Sequence, residues 1–272
     1  MSMPLNIVLI RHGQSEINLI HKAERSGKLH EAHDVVYANH DWQHRLTDLG
    51  ISQAKSAGKW LKDNLKTPDK FDRAYVSTYQ RAIETAYYVG DEHTMWHVDD
   101  RFRERDWGEF GATPEEERKR KFPYTIAAQE SNYFYTSLNG GESLSTVQMR
   151  VRDIIGTFHR DLAGKDVIAV CHGELMMVIR YVLERLMPEE AVEIDRQQDM
   201  KNCTIIHYSR VNPDDPKDIA KHIGWMRMIY PYDESNSPHG GKWQPIIEKR
   251  VLSGAQLKRR LQLTPPHTRK EE

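Results

Sequence analysis

Cysteine is scarce in this chain: only Cys171 and Cys203 occur, each inside an apolar run of the kind that makes a core strand. Two cysteines permit at most one disulfide, and buried free thiols in a reducing cytoplasm are the simpler reading. Paired-cysteine metal spacing is missing, as are His-x-His and His-Glu-x-x-His, so nothing points to a bound metal. Net charge is also lacking, at −1, which leaves no global field for nucleic acid or an anionic membrane. No run approaches the ~20 apolar residues of a membrane span, and the first six residues lack the charged start of a secretion signal. These absences together lead us to expect a cytoplasmic chain with no nucleic-acid and no membrane partner. Internal repeats are absent too.

What remains is the composition of a folded domain, 38% apolar and 29% charged over 272 residues. Short β-branched runs alternate with helical spacing. Residues 5–10 read as a buried strand that breaks at Arg11-His12-Gly13. Thr47 then caps a helix through Ile51, Ala54, Ala57 and Leu61. Residues 71–76 make a second strand, 79–89 a helix, and Trp96–Val98 a short third strand. Ser143 caps a long amphipathic helix that stops at Gly164. Residues 167–171 form the most apolar strand, which breaks at His172-Gly173, and 175–186 resume helical spacing. Residues 204–208 read as a last strand of the main sheet. This alternation predicts an α/β fold, a three-layer αβα sandwich with a mostly parallel central sheet.

One main domain is expected over 1–210, with polar inserts at 22–44 and 111–139 of the sort that serve as lids or specificity elements. Residues 211–263 read as an extension packed on it, with an edge strand at Trp225–Ile229 and a short basic helix near 253–261. Residues 264–272 read as a disordered tail.

Two strands end alike, as apolar run, histidine, glycine: once at His12-Gly13 and once at His172-Gly173. In a parallel sheet both ends lie on one edge, where the ligand crevice of such folds forms. Either pair alone is more often a structural histidine at a strand end. Arg11 beside the first pair, and Arg81 at the start of the helix after the second strand, change that balance. Two guanidinium groups, two imidazoles and a helix amino terminus suit a tetrahedral oxyanion.

These motifs, in this order, resemble the histidine phosphatase superfamily with its phosphoglycerate mutase-like fold, over roughly residues 5–208. Arg11-His12-Gly13-Gln14-Ser15-Glu16 is similar to its signature loop, which makes His12 the phosphorylated residue. Asn18 matches an asparagine that contacts the phosphoryl group. Leu46-Thr47-Asp48-Leu49-Gly50 with Gln53-Ala54, and the segment from Ser77 through Arg81 to Thr85-Ala86, match two further family segments. His172-Gly173 matches the second histidine of the phosphate pocket. Ser77 and Gly173 are carried over as substrate contacts. Glu104, ahead of Asp106-Trp107-Gly108, matches the proton donor, with Asp106 and Glu109 as nearby rivals.

The resemblance implies in-line attack by a neutral His12, with Arg11, Arg81 and an imidazolium at His172 holding the phosphoryl oxygens, and no metal or cofactor. The expected partner is a small phosphorylated substrate; a homo-oligomer stays open. Family mutases carry a lysine eleven residues after the acidic glutamate, and here that position is Glu115. Tyr133-Phe134-Tyr135 followed by Asn139-Gly140-Gly141-Glu142-Ser143 resembles the phosphatase branches instead. The expectation is therefore a phosphoric monoester hydrolase, with a mutase or a non-catalytic phospho-ligand module as alternatives.

Overall fold

A computed structural model describes residues 2–197, 200–247 and 251–263, so the tail expected at 264–272 lies outside the described residues. In chain order the elements are β1 (Asn6–Arg11), α1 (Glu16–Arg25), α2 (His33–Tyr37), α3 (Asp48–Asn64), β2 (Arg73–Val76), α4 (Gln80–Val89), β3 (Trp96–Val98) and α5 (Gly108–Gly111). Then come α6 (Glu115–Lys121), α7 (Pro123–Asn132), α8 (Leu144–Asp161), β4 (Asp166–Cys171), α9 (Gly173–Leu183), α10 (Pro188–Gln197) and β5 (Ile205–Ser209). The chain continues through β6 (Val211–Asn212), β7 (Asp215–Ile219), β8 (Trp225–Ile229), β9 (Gln244–Pro245) and α11 (Gly254–Leu263).

The main sheet has the order β3-β2-β4-β1-β5-β8-β9. Strands β3, β2, β4 and β1 run parallel, and β5 turns antiparallel to β1. The reason lies at the strand's entry: the Cys203 N–H donates to the His12 carbonyl (3.2 Å), so the chain enters β5 from the end where β1 finishes and must run back. Trp225–Ile229 is not the edge strand expected from the sequence, because β9 pairs on its outer side.

Strand periodicity divides the core into two layers. Ile7 and Leu9 of β1 face Val151, Ile154 and Leu175 of α8 and α9, while Val8 and Ile10 face Ala54, Leu61 and Ala82 of α3 and α4. These side chains are fully buried, each contributing about 1.5–3 kcal/mol when large. Both sequence-predicted caps form: Thr47 Oγ1 accepts the Gly50 N–H (3.1 Å), and Ser143 Oγ accepts that of Thr146 (3.1 Å). The inserts are helical rather than looped, carrying α1 to its end, α2, α6 and α7. Their helices are short, and α2, α6 and α7 each bury one residue or none, so they left little periodicity to read.

Candidate active site

Register brings the expected residues to one edge. Arg11 pairs with Cys171 and Val76 with Val170, so His12, His172 and Ser77 are the next residues on three adjacent strands. The two imidazole rings stand 5.1 Å apart. His12 is anchored through its backbone: its N–H donates to Cys171 O (2.9 Å) and its carbonyl accepts from Asn202 Nδ2 (3.1 Å). A Cβ on Gly13 would lie 2.4 Å from the Gly50 carbonyl, so only glycine lets the loop pass α3. The Gly13 N–H donates to Thr85 Oγ1 (2.9 Å) and the Gln14 N–H to Gln53 Oε1 (2.9 Å). The two helix motifs thus form the cradle of the histidine loop.

His12 Nδ1 lies 2.7 Å from the Gly13 carbonyl, which can only accept; this assigns the proton to Nδ1 and leaves a lone pair on Nε2. Burial first, then Arg81 and Arg11, holds the His12 pKa well below its ordinary value, so the ring stays neutral. His172 Nε2 meets Ser77 Oγ at 2.8 Å, and its Nδ1 has no hydrogen-bond partner among the described residues. Burial, Arg81 and His12 depress this imidazole too. The imidazolium expected at His172 is therefore a neutral ring in the free site, and the arginines supply the positive charge.

Arg11 donates to the Met200 carbonyl and lies against Gly173, where a Cβ would come 3.4 Å from its Nε. Arg81 is 3% exposed and sits 4.8 Å over the Tyr79 ring. Its Nη1 donates to Asp41 O (2.6 Å) and Oδ1 (3.1 Å), and its Nη2 to Asp41 Oδ2 (3.1 Å). The Asp41 side chain is 47% exposed; its partial desolvation works against ionisation, yet Arg81 holds the carboxyl well below the usual range.

Glu104 lies at the amino terminus of α9. Its Oε1 accepts from Arg105 N (3.0 Å) and Leu175 N (3.2 Å), and its Oε2 from Glu174 N (3.4 Å). Burial and the neighbouring Glu174 carboxylate push its pKa up to about 7. The rival carboxylates Asp106 and Glu109 are exposed. Behind Glu104, the buried Arg105 donates to Glu174 Oε1 (3.2 Å) and Tyr133 OH donates to the same oxygen (2.6 Å). Glu142 binds Arg150 Nη2 (3.0 Å) and the Asp106 N–H (2.9 Å), which ties the Gly-Gly-Glu-Ser turn to the Glu104 segment.

A cavity of about 850 Å³ opens over this edge. Arg11, His12, Asn18, Arg81, Glu104 and Gly173 line its floor; Arg25, Tyr37 and Trp42 from one insert, and Glu115, Arg118 and Tyr133 from the other, line its walls. Ser77, expected to touch substrate, and His172 are both fully buried and neither lines the cavity; the Ser77 hydroxyl lies against His172 Nε2. Asn18 Oδ1 accepts from Ser15 N (3.2 Å) and Asn202 Nδ2 (3.0 Å), which fixes its orientation. Asp41, Arg105 and Glu174 were not singled out from the sequence, whereas Asn202-Cys203 resembles a segment of the family's phosphatase branches. Asn202 stands before a recognisable strand, but Asp41 sits in a polar insert with no spacing to mark it.

The model of the histidine phosphatase superfamily (branch 1) matches residues 7–214. The chain is 31% identical over 193 residues to a 2,3-bisphosphoglycerate-dependent phosphoglycerate mutase of Azorhizobium caulinodans, covering 67% of this chain and 83% of that protein. Among solved structures it resembles the mycobacterial glucosyl-3-phosphoglycerate phosphatase Rv2419c (TM-score 0.58, 21% identity, covering 82% of this chain and 96% of that one). It also resembles the alpha-ribazole phosphatase of Shigella flexneri (TM-score 0.57, 18% identity, covering 80% and 95%). At these identities the two structures establish a shared fold, while the matched span takes in both histidine loops and the strands that carry them. The chain belongs to the histidine phosphatase superfamily.

Proposed function

We propose that the chain is a phosphoric monoester hydrolase that works through a phosphohistidine at His12 on a small phosphorylated metabolite, with no metal or cofactor. One observation carries this reading: a neutral His12, pinned through Nδ1, stands beside two arginines and a carboxylic acid raised to about 7. Nε2 attacks phosphorus, an N–P bond forms, and the bond to the leaving oxygen breaks. Arg11, Arg81 and His172 hold the oxygens on which charge develops. Protonated Glu104 gives its proton to the leaving alkoxide. As a carboxylate it then takes a proton from water, whose oxygen bonds to phosphorus as the N–P bond breaks.

Hydrolysis is preferred to transfer onto a second hydroxyl because Glu115 lines the cavity at the position where family mutases hold a lysine. A carboxylate there repels an acidic substrate. The mutase reading rests on the 31% identity to a mutase. Hydrolysis of para-nitrophenyl phosphate in excess chelator, with covalent phosphate labelling that disappears in His12→Ala, is the expected result. Activity retained in that variant would sink the assignment. Isomerisation of 3-phosphoglycerate that needs 2,3-bisphosphoglycerate and outpaces hydrolysis would reverse the choice between the two reactions.

A further inference from the structure

Arg81 is held in a way that the reaction alone does not require. Asp41, from the insert before α3, takes both Nη atoms of the guanidinium through its carboxylate and one of them again through its backbone carbonyl. The Nε of this buried arginine has no hydrogen-bond partner among the described residues. A guanidinium offers two edges to an oxyanion, the Nη1/Nη2 end and the Nε/Nη2 side. Asp41 occupies the end, and the side keeps Nε–H and one Nη2 hydrogen. The Tyr79 ring below fixes the plane. His44 braces the grip, with Nδ1 3.4 Å from Asp41 Oδ1 and Nε2 3.0 Å from the Val36 carbonyl.

We propose that Asp41 is a positioning residue: by holding the end of the Arg81 guanidinium it commits the side edge to the phosphoryl oxygens, and so couples the 22–44 insert to the phosphate pocket. This rests on the phosphohistidine reading and adds a part to it. A carboxylate on a phosphate-binding arginine can also act as a competitor that substrate must displace. Two features oppose that role. The backbone carbonyl shares the grip, so the contact is not a side chain free to swing away, and the side edge is left open.

The test is a double-mutant cycle on the full chain, following kcat and KM for para-nitrophenyl phosphate, affinity for orthovanadate, and melting temperature. Asp41→Ala should lower kcat roughly 10–100-fold, as misplaced catalytic groups do, and raise KM by less than about threefold, because the Arg81 contact tightens in the transition state. Vanadate affinity should fall with kcat. Asp41→Asn, which keeps one acceptor oxygen, should recover part of the loss. In the Arg81→Ala background, Asp41→Ala should cost nothing further.

A faster Asp41→Ala enzyme with tighter vanadate binding would make Asp41 a competitor and overturn the inference. An equal loss in the Arg81→Ala background would place its action elsewhere and overturn it as well. A wild-type protein that neither hydrolyses nor binds vanadate sinks the phosphohistidine reading and this one together. An active wild type with an unaffected Asp41→Ala sinks this one alone.

Discussion

Removing the charge of Glu174 tests how Glu104 keeps its proton. Five influences act on that carboxyl: burial and Glu174 raise its pKa, while the Arg105 N–H and the charges of Arg81 and Arg11 lower it. Glu174→Gln leaves the burial and can still accept from Tyr133, but it deletes the repulsion. It also leaves Arg105, now paired to Glu174 at 3.2 Å, as an uncompensated cation nearby. Both changes favour ionised Glu104. Neighbouring like charges in an effective dielectric of about 20 repel by roughly 2–4 kcal/mol. Water in the cavity trims this, so a fall of roughly one unit from about 7 is expected.

The sign follows from the role. In the proposed reaction Glu104 is the general acid and must be protonated in the free enzyme, so kcat/KM falls on the alkaline side of its pKa. At pH 7 the protonated fraction drops from about half to about a tenth, a roughly fivefold loss, while at about pH 5.5 little changes. The assay is a pH profile of kcat/KM with an alkyl phosphate, whose leaving group needs the proton. A limb that stays in place, or moves to higher pH, would refute the argument. Glu104→Gln should abolish the limb and lower kcat about 10²–10⁴-fold. With an aryl phosphate that variant should give a burst and then stall as phosphoenzyme.

Two further substitutions probe the scaffold. A Cβ on Gly50 would lie 2.0 Å from the Gln14 carbonyl, so Gly50→Ala should destabilise by about 1–3 kcal/mol or more despite alanine's better helix propensity. A thermal melt at or above the wild-type temperature would refute this. Ser77→Ala removes the hydroxyl on His172 Nε2 and should cut kcat/KM roughly tenfold, with about 1 kcal/mol lost in stability. Unchanged steady-state kinetics would show that the ring needs no such support.

The strand-His-Gly repetition, the caps at Thr47 and Ser143 and the order of elements were legible because each is a local signal with a fixed period or turn chemistry. The catalytic candidates were legible because they end strands that the parallel topology aligns. The antiparallel half of the sheet was not, since an isolated β5 or β8 reads the same in either direction. Asp41 was hidden for a related reason: it meets Arg81 across 40 residues, and no local pattern records such a contact. The raised pKa of Glu104 depends on its burial and on Glu174, which follows a different strand and looks like a routine first-turn helix acid.

The cavity is lined by residues at the strand ends and helix starts of the main domain and by the two inserts, and this separation bears on how selectivity would be exercised. In the proposed reaction a small aryl ester would engage chiefly the phosphate-binding and proton-donating groups at the floor. A larger ester also touches residues such as Trp42, Arg118 and Tyr133, which hold none of the reacting atoms. Discrimination among substrates can then shift by exchanging insert sequence while the reaction beneath stays intact, with the segment around Asp41 as the exception because it belongs to both.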